Sequence, residues 1–344
     1  MSLPVQPPLV PMLAQLQGEL PEGDGWLYEP KWDGFRALVF RDGDDLEVIS
    51  RDGRPLVRYF PELPPLLSGA LPDRCVMDGE VLMAGEDGLD FDTLQLRIHP
   101  AASRINKLAA EIPSSFVGFD LLALGDEDLR LQPFSARRVA LEGVLTECLE
   151  LDPMPPLEPL HVYLTPQTDR LEEAVRWFEA FESIGLEGIV AKRAGDAYLP
   201  GKRAMVKVKH KRTVDCVVGG YKLGKTGDGI GALLLGLYDE AGVLHYVGHT
   251  SSFKTKERRE LLAQLKPLEG DGAFGEGRSP GGQSRWSGAR EQAWVSVRPE
   301  LVCEVSFDRM QGDRFRHAAT FMRWRTDKAP MECTIDQVWA SSQR

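Results

Sequence analysis

The sequence has no long apolar run and no closely spaced cysteines. Its apolar stretches fall short of the roughly 18 residues that a membrane-spanning helix needs. The first residues, MSLPVQPPLVPMLA, hold four prolines where a signal peptide would carry a helical apolar segment. The five cysteines are at least 30 residues apart, whereas zinc knuckles and small disulfide frameworks use close pairs. We therefore expect a cytoplasmic protein with reduced thiols and no membrane partner.

Net positive charge is also lacking, since 52 acidic residues outnumber 41 basic ones and give the 344 residues a formal net charge of -11. This balance argues against an indiscriminate polyanion binder, because such binding depends on lysines and arginines that displace phosphate counterions. The segment from Lys192 to Lys225 differs, with ten Lys or Arg and only two acids. Such a stripe favours a face for an anionic partner. A solvated basic edge is the alternative.

Length and pattern indicate two domains, because 344 residues exceed the roughly 100–200 of one typical core. The first part alternates short β-rich runs with Gly-Asp turns, and helices are predicted from Ser135 and after Asp169, the second ending at Gly185. Past residue 210, short strands with glycine turns are typical of a Greek-key barrel such as the OB-fold. We predict an α+β chain with domains 1–210 and 211–344 and a flexible Gly-rich loop near 267–290.

Residues 29–40, EPKWDGFRALVF, place Lys31 and Arg36 around the turn glycine Gly34. A lysine is a nucleophile only as the free amine, which neighbouring cations favour. In MVKVKHKR, Lys207 and Lys209 are two apart and so share one side of a strand. Two amines on one side repel each other, which suits a triphosphate ligand. A surface β-turn and a solvated basic strand are the alternatives.

Two acids stand among apolar residues at the predicted strand boundaries, Glu80 in VMDGEVL and Glu187 in LEGIVAKR. A buried acid needs a partner, and Mg²⁺ is bound by one or two carboxylates together with phosphate oxygens. Each acid taken alone is also compatible with a surface position at a strand end.

Seven short motifs occur along the chain in the order KWDGFR, SRDGR, DGEVL, FVGFDLL, EGIVAKR, VKVKH and FMRWRTDK. In order and approximate spacing they resemble the signature motifs of covalent nucleotidyltransferases, specifically of ATP-dependent DNA ligases. From about residue 8 to 335 the chain is similar to the small bacterial ligases of the ligase C type and to the ligase domain of ligase D. The resemblance implies a nucleotidyltransferase domain of antiparallel sheets with flanking helices, followed by a C-terminal OB-fold β-barrel.

The resemblance assigns roles to residues of the nucleotide pocket. Lys31 would attack the α-phosphate of ATP and carry AMP through a phosphoramide bond, while Gly34 would let the backbone approach the nucleotide. Glu29 matches the position that reads the adenine edge, and Phe119 matches the aromatic that stacks on the base. Arg36 matches a position that contacts the ribose, as does Glu80.

Further positions match groups that handle phosphate and metal. By resemblance, Arg51 engages phosphate, including the 5′ end of a nick. Glu187 matches the ligand of Mg²⁺ or Mn²⁺, with Glu80 as a second candidate ligand. Lys207 and Lys209 match the pair that steadies the α-phosphate through the reaction.

The last motif lies in the second domain. Arg325, Asp327 and Lys328 in RWRTDK resemble an element that swings over the nucleotide to orient the departing pyrophosphate and then swings away for DNA to dock. KHKRTVD is the expected hinge. The resemblance implies an ATP-dependent enzyme that seals nicked or broken duplex DNA in repair and recombination. We expect a monomer on the bacterial nucleoid, with repair polymerases or end-binding proteins as candidate partners.

Other functions remain open at this point. RNA ligases and mRNA-capping guanylyltransferases use the same lysine chemistry, and the sequence shows no group that reads a 2′-hydroxyl. A non-catalytic OB-type nucleic-acid binding protein would have lost motif residues, and none is lost. NAD⁺-dependent ligases are set aside because their zinc-binding cysteines are absent.

Overall fold

The computed structural model describes residues 1–85, 88–148, 157–180, 186–210, 212–224, 227–270, 273–274 and 294–340. The chain divides into two units, Met1–His210 and Lys211–Arg344. Most of the Gly-rich loop predicted near 267–290 lies outside the described residues, as does the predicted helix stop at Gly185. Among the described helices, none is both long and apolar enough to cross a membrane. All five cysteines are free.

The first unit contains twelve of the described strands and five helices. In chain order they are β1 Leu13–Gln17, β2 Trp26–Lys31, β3 Phe35–Asp42, β4 Asp45–Ser50, α1 Leu63–Ala70, β5 Arg74–Leu82, β6 Ala84–Gly85, β7 Gly88–Leu89, α2 Phe91–Leu96, α3 Ala102–Glu111, β8 Ser115–Leu124, β9 Glu127–Asp128, α4 Phe134–Val144, β10 Val162–Leu164, α5 Leu171–Ala180, β11 Gly188–Arg193 and β12 Arg203–Lys209.

Two large sheets build this unit, beside a two-stranded sheet of β6 and β7. One has the order β1-β12-β11-β2, and the other has the order β10-β8-β5-β3-β4 with β9 paired to β8. Most pairings are antiparallel, but β1 pairs with β12 and β10 pairs with β8 in parallel. The prediction of antiparallel sheets did not include these two pairings. Hairpins force antiparallel pairing only between strands that are close in sequence, and these partners are far apart in the chain.

Alternating side chains of the six-stranded sheet fill two cores. Val39 and Met77 face one side, where α1 contributes Leu63 and α4 contributes Leu141. Their neighbours, such as Phe40, face a second core that also contains residues of the four-stranded sheet. The period of two follows from strand geometry. The sheets therefore pack face to face, and both faces of the six-stranded sheet are covered.

The second unit contains the remaining described strands and helices. They are β13 Arg212–Leu223, β14 Ile230–Tyr238, β15 Leu244–Thr250, α6 Thr255–Leu265, β16 Val295–Ser296, β17 Val302–Phe307, β18 Met310–Gln311, β19 Arg314–Phe315, β20 Thr320–Trp324 and α7 Asp336–Ala340, with 3₁₀ turns at Lys266–Leu268 and Pro330–Glu332.

The main sheet of the second unit has the order β15-β14-β13-β17-β20. All of its pairings are antiparallel, and α6 lies between the third and fourth of its strands in the chain. Three strands, a helix and two further strands, with the first strand beside the fourth, make an OB-fold. The predicted fold of this domain is confirmed.

Candidate active site

Three neighbouring strands place Lys31, Glu187 and Lys209 side by side. Gly188 lies opposite Lys31 in the pairing of β11 with β2, and opposite Lys209 in the pairing of β11 with β12. The N–H of Glu187 donates a 2.9 Å hydrogen bond to the carbonyl of Lys31. The register of one sheet therefore brings together a lysine, an acid and a second lysine from distant parts of the sequence.

One carboxylate oxygen is shared by two ammonium groups at this point. Glu187 Oε2 lies 2.6 Å from Lys31 Nζ and 2.9 Å from Lys209 Nζ. Desolvation would raise the pKa of Glu187, but Lys31 and Lys209 outweigh it and hold that pKa at about 2. Glu187 is therefore an anion at any working pH, placed between two cations.

Lys207 adds a third amine to this cluster. It precedes Lys209 by two residues on β12 and so projects to the same side of the strand. Desolvation, followed by the charges of Lys209 and Lys31, lowers the pKa of Lys207. Three lysines around one carboxylate leave an excess of positive charge, which suits a phosphate group.

Gly34 is required by packing inside the protein. A Cβ at this position would lie 2.1 Å from the carbonyl oxygen of Val81 and 2.9 Å from Cγ of Glu80. The chain therefore enters β3 in close contact with β5. The sequence interpretation gave Gly34 a role in nucleotide approach, whereas the structure gives it a role in bringing β3 against the strand that carries Glu80.

Glu80 lies opposite Arg36 in the pairing of β3 with β5. Desolvation raises the pKa of Glu80 to about 8, although Lys31 and Arg36 act in the opposite direction. This acid therefore binds a proton more readily than an ordinary glutamate, and a bound cation would compete with that proton.

Arg36 is held by a partner that the sequence interpretation missed. Its Nε and Nη2 donate to Asp78 at 2.9 and 2.6 Å, and the hydroxyl of Tyr198 donates to Asp78 at 2.6 Å. Asp78 is fully buried. An acid inside an apolar strand is a signal that a cation is near, but the sequence does not show which one, because Arg36 is 42 residues away. The second partner, Tyr198, is 120 residues away.

Glu29 and Phe119, the predicted base-binding pair, are joined by Lys192. The Nζ of Lys192 lies 2.7 Å from a carboxylate oxygen of Glu29 and donates a 2.9 Å hydrogen bond to the carbonyl of Phe119. The other oxygen of Glu29 accepts a 2.9 Å hydrogen bond from Gln167. Lys192 also lies 5.0 Å from the centre of the half-buried Phe119 ring, and Arg36 lies 5.5 Å from it.

Lys192 and Gln167 were not among the predicted site residues. Lys192 lies in the motif EGIVAKR and in the basic stripe but was given no role there, and Gln167 carried no signal. The side chains of Glu29 and Lys192 are 3% and 4% exposed, so this ion pair belongs to the interior and fixes the acid in one position.

The structure does not gather every predicted residue of the first unit. Arg51 follows the end of β4 with its side chain 64% exposed, and within the described residues its recorded partner is Asp52 at 3.4 Å. It therefore lies on the surface, and its contact is with Asp52 rather than with the lysine cluster.

Arg325, Asp327 and Lys328 form a cluster inside the second unit. Nε and Nη2 of Arg325 each lie 2.9 Å from the carboxylate of Asp327. Nη1 of Arg325 contacts both oxygens of Asp215 at 2.8 Å, and Lys328 Nζ contacts the same acid at 2.8 Å. Asp215 was noted in the sequence only as one of two acids in the basic stripe.

The acids of the first unit fit a magnesium ion whose other ligands come from a nucleotide. No group of three or more His, Cys, Asp or Glu residues within the described ranges could hold a metal ion. Glu187 and Glu80 provide two carboxylates that interact, because the charge of Glu187 contributes to the raised pKa of Glu80. Mg²⁺ is commonly bound by one or two carboxylates, substrate phosphates and water, so this donor pair suffices.

Two family models match the chain. Residues 11–209 match the ATP dependent DNA ligase domain, and residues 226–328 match the ATP dependent DNA ligase C terminal region. The first match alone covers more than half of the chain and includes all predicted site residues of the first unit.

Individual proteins give the same result. The chain is 50% identical to DNA ligase C1 of Mycolicibacterium smegmatis and 48% identical to DNA ligase C of Mycobacterium tuberculosis, in each case over 98% of this chain and 96% of the relative. Among solved structures, a mycobacterial DNA ligase D complexed with ATP and MES aligns with a TM-score of 0.50 and 27% identity. That alignment covers 95% of this chain and 98% of the other.

Proposed function

The chain belongs to the ATP-dependent DNA ligase family, and from this premise we propose that it seals breaks in duplex DNA with Lys31 as the covalent carrier of AMP. The observation that carries the assignment to Lys31 is its position in the lysine cluster. Lys31 shares the carboxylate of Glu187 with Lys209, beside Lys207.

In the first step, Nζ of Lys31 attacks the α-phosphorus of ATP. A P–N bond forms, the bond to the oxygen of the β-phosphate breaks, pyrophosphate leaves, and the amine loses its proton. Lys207 and Lys209 are the cations beside this amine. The same two side chains neutralise charge on the α-phosphate as the reaction proceeds.

This step also changes the surroundings of Glu187. An AMP-bearing Lys31 is neutral and no longer forms an ion pair, so the carboxylate loses one of its two cations. Glu187 would then hold Mg²⁺ together with Glu80. Bound at this place, Mg²⁺ supplies charge neutralisation on phosphate oxygens.

The remaining site residues would bind and orient the nucleotide. Glu29 is an acceptor fixed by Lys192 and Gln167, and an acceptor suits the N6 amino group of adenine but opposes O6 of guanine. Phe119 offers a ring for stacking. Arg36, oriented by Asp78, would contact the ribose.

Two further steps complete the reaction. The 5′-phosphate at a break attacks the phosphorus of lysyl-AMP, which frees Lys31 and leaves AMP on the DNA end. The 3′-hydroxyl then attacks the activated 5′-phosphate, the strand is closed, and AMP leaves.

Arg51 is assigned to the 5′-phosphate, because an exposed arginine is available to DNA. Arg325, Asp327 and Lys328 are assigned to the pyrophosphate of the first step, with the hinge at KHKRTVD.

We also propose the cellular setting from the sequence. The enzyme would act as a monomer in repair in the bacterial cytoplasm, on the nucleoid, with recruitment by repair polymerases or end-binding proteins. Size-exclusion chromatography coupled to light scattering checks the monomer, and a dimer mass would contradict it.

A nucleotide-transfer assay tests the proposed function. The protein is incubated with Mg²⁺ and either ATP or GTP carrying a labelled α-phosphate, denatured, and examined for bound label. A parallel sample is chased with nicked DNA or nicked RNA. We expect label from ATP that transfers to nicked DNA. Label from GTP alone, or transfer to RNA alone, would instead assign the chain to the RNA-directed branches of the superfamily.

A further inference from the structure

Asp215 occupies the centre of the charge cluster in the second unit. It lies on β13, with a side chain that is 11% exposed, and its Oδ2 contacts Nη1 of Arg325 and Nζ of Lys328 at 2.8 Å each. The main chain of Asp215 is fixed as well, because its N–H donates to the amide of Gln337 at 3.3 Å and its carbonyl accepts from the same amide at 3.2 Å.

Neutralisation of Arg325 does not require this arrangement. The Nε and Nη2 groups of Arg325 already have the carboxylate of Asp327. The position of Asp215 instead accounts for the closeness of Arg325 and Lys328. Two like charges bound to one oxygen would repel each other without the anion between them. Asp215 therefore holds a guanidinium and an ammonium group side by side.

We propose that Asp215 is a positioning residue for the first reaction step, because it assembles Arg325 and Lys328 into a paired cation site for the departing pyrophosphate. This inference rests on the proposed function, in which these two cations act on pyrophosphate. A preassembled pair needs no reorganisation when the leaving group develops charge, which is the condition under which electrostatic stabilisation is most effective. The later steps, which transfer AMP to DNA and then release it, produce no pyrophosphate and do not use the pair.

The test separates the reaction steps in the Asp215→Asn variant of the full chain. The amide keeps the shape of the side chain but removes its charge and one acceptor. We expect single-turnover formation of lysyl-AMP from ATP to slow by about tenfold or more, with sealing of a pre-adenylated nick changed by less than about threefold. Addition of pyrophosphate to the preformed lysyl-AMP enzyme, which runs the first step backwards, should slow to a similar extent.

Glu304 provides the matched control. It lies opposite Asp215 in the pairing of β13 with β17, and it pairs with the exposed Arg323 at 2.6 Å. Glu304→Gln removes an acid from the same sheet without touching Arg325 or Lys328. We expect both steps to keep the rate of the wild type.

A second variant covers the case in which Asp215→Asn does not fold. The double variant Asp215→Asn with Lys328→Gln removes an anion and a cation together, so it leaves fewer unpaired buried charges. Compared with Lys328→Gln alone, the double variant should show a further loss in the first step and none in the sealing of a pre-adenylated nick. Where the single variants fold, the combined loss should be smaller than the product of the two single losses.

Several results would overturn the inference. An unchanged first step in Asp215→Asn would do so, as would equal slowing of all steps, which indicates a purely structural role. Independent, multiplicative losses in the double variant would also contradict it. If the wild type itself forms no lysyl-AMP, the proposed function fails and this inference fails with it. If the wild type forms lysyl-AMP and Asp215→Asn forms it equally fast, the inference alone fails.

Discussion

Single residues of the proposed nucleotide site are compensated charges whose partners lie far away in the chain. Glu187 lies between Lys31 and Lys209, and Arg36 is bound to Asp78. The motif residues were predictable because their spacing resembles that of a known family. The roles of Lys192 and Asp215 were not predictable, because an ion pair that joins residues 110 or more positions apart leaves no local pattern in one sequence.

Removal of Lys192 should destabilise the protein strongly. Its ammonium group is the close cation of Glu29, and both side chains are at most 4% exposed. Loss of Lys192 leaves Glu29 with the more distant Arg138, whose Nη1 lies 3.7 Å from the other carboxylate oxygen. Because removal of the close partner of a buried charge is strongly destabilising, Lys192→Met should lower the free energy of unfolding by about 3 kcal/mol. Urea denaturation measures this loss in the free energy of unfolding. The neighbouring Arg193→Met, at an exposed position, is the control, and equal unfolding midpoints for both variants would refute the prediction.

The stability of the metal-free protein should depend on the ionisation of Glu80. Its pKa is raised from 4.5 to about 8 in the folded protein, so between these pH values the folded chain binds a proton that the unfolded chain has released. The free energy of unfolding therefore falls as pH rises across this window. Relative to Glu80→Gln, the wild type should lose on the order of 3 kcal/mol between about pH 5 and pH 8. The prediction is contradicted if denaturation shows that the free energy of unfolding changes with pH by the same amount in the wild type and in Glu80→Gln.

At the scale of elements, the site depends on how β11 meets its neighbours. Alternating β-rich runs predicted a strand-rich first unit, and the helices predicted from Ser135 and after Asp169 correspond to α4 and α5. The helices α1, α2 and α3 were not predicted. The two parallel pairings were not predictable, because pairing between distant strands is decided by packing of the whole unit and not by local pattern. The same holds for the register that sets Gly188 opposite both Lys31 and Lys209.

Gly188 should be irreplaceable in this register. Its φ is +144°, and a Cβ there would lie 2.0 Å from the carbonyl oxygen of Val208. Gly188→Ala should therefore push β11 from β12, separate Glu187 from Lys209, and cost about 2–4 kcal/mol of stability. Thermal unfolding and lysyl-AMP formation measure the two effects. Gly195→Ala is the matched control, because nothing lies within 4 Å of its added Cβ. Equal behaviour of the two variants would show that the close contact is not limiting.

At the scale of the whole molecule, each unit carries part of the charge that the proposed first step needs. The first unit holds the nucleophile cluster, and the second unit holds the Arg325 and Lys328 pair. The order of the motifs predicted this division, together with the OB-fold of the second domain. The anchoring of that pair by Asp215 came only from the structure.

The thiols should report on the integrity of both units. Four of the five cysteines, Cys75, Cys216, Cys303 and Cys333, are buried, and Cys148 is exposed. Burial raises the pKa of Cys75 and of Cys333 to about 11, which suppresses the reactive thiolate. A chromogenic thiol reagent should therefore detect one fast thiol in the folded protein and five in denaturant. Two or more fast thiols in the folded protein would contradict the packing described for the cores.

The central claim is that Lys31 carries AMP, and sealing assays with Lys31→Ala test it most directly. The wild type should form an AMP adduct that peptide mapping places on Lys31, and it should seal nicked DNA with ATP. Lys31→Ala should form no adduct and fail on nicked DNA, yet still seal a nick that is already adenylated, because the last step does not use the amine as a nucleophile. An adduct on another residue, or sealing of unmodified nicked DNA by Lys31→Ala with ATP, would contradict the account.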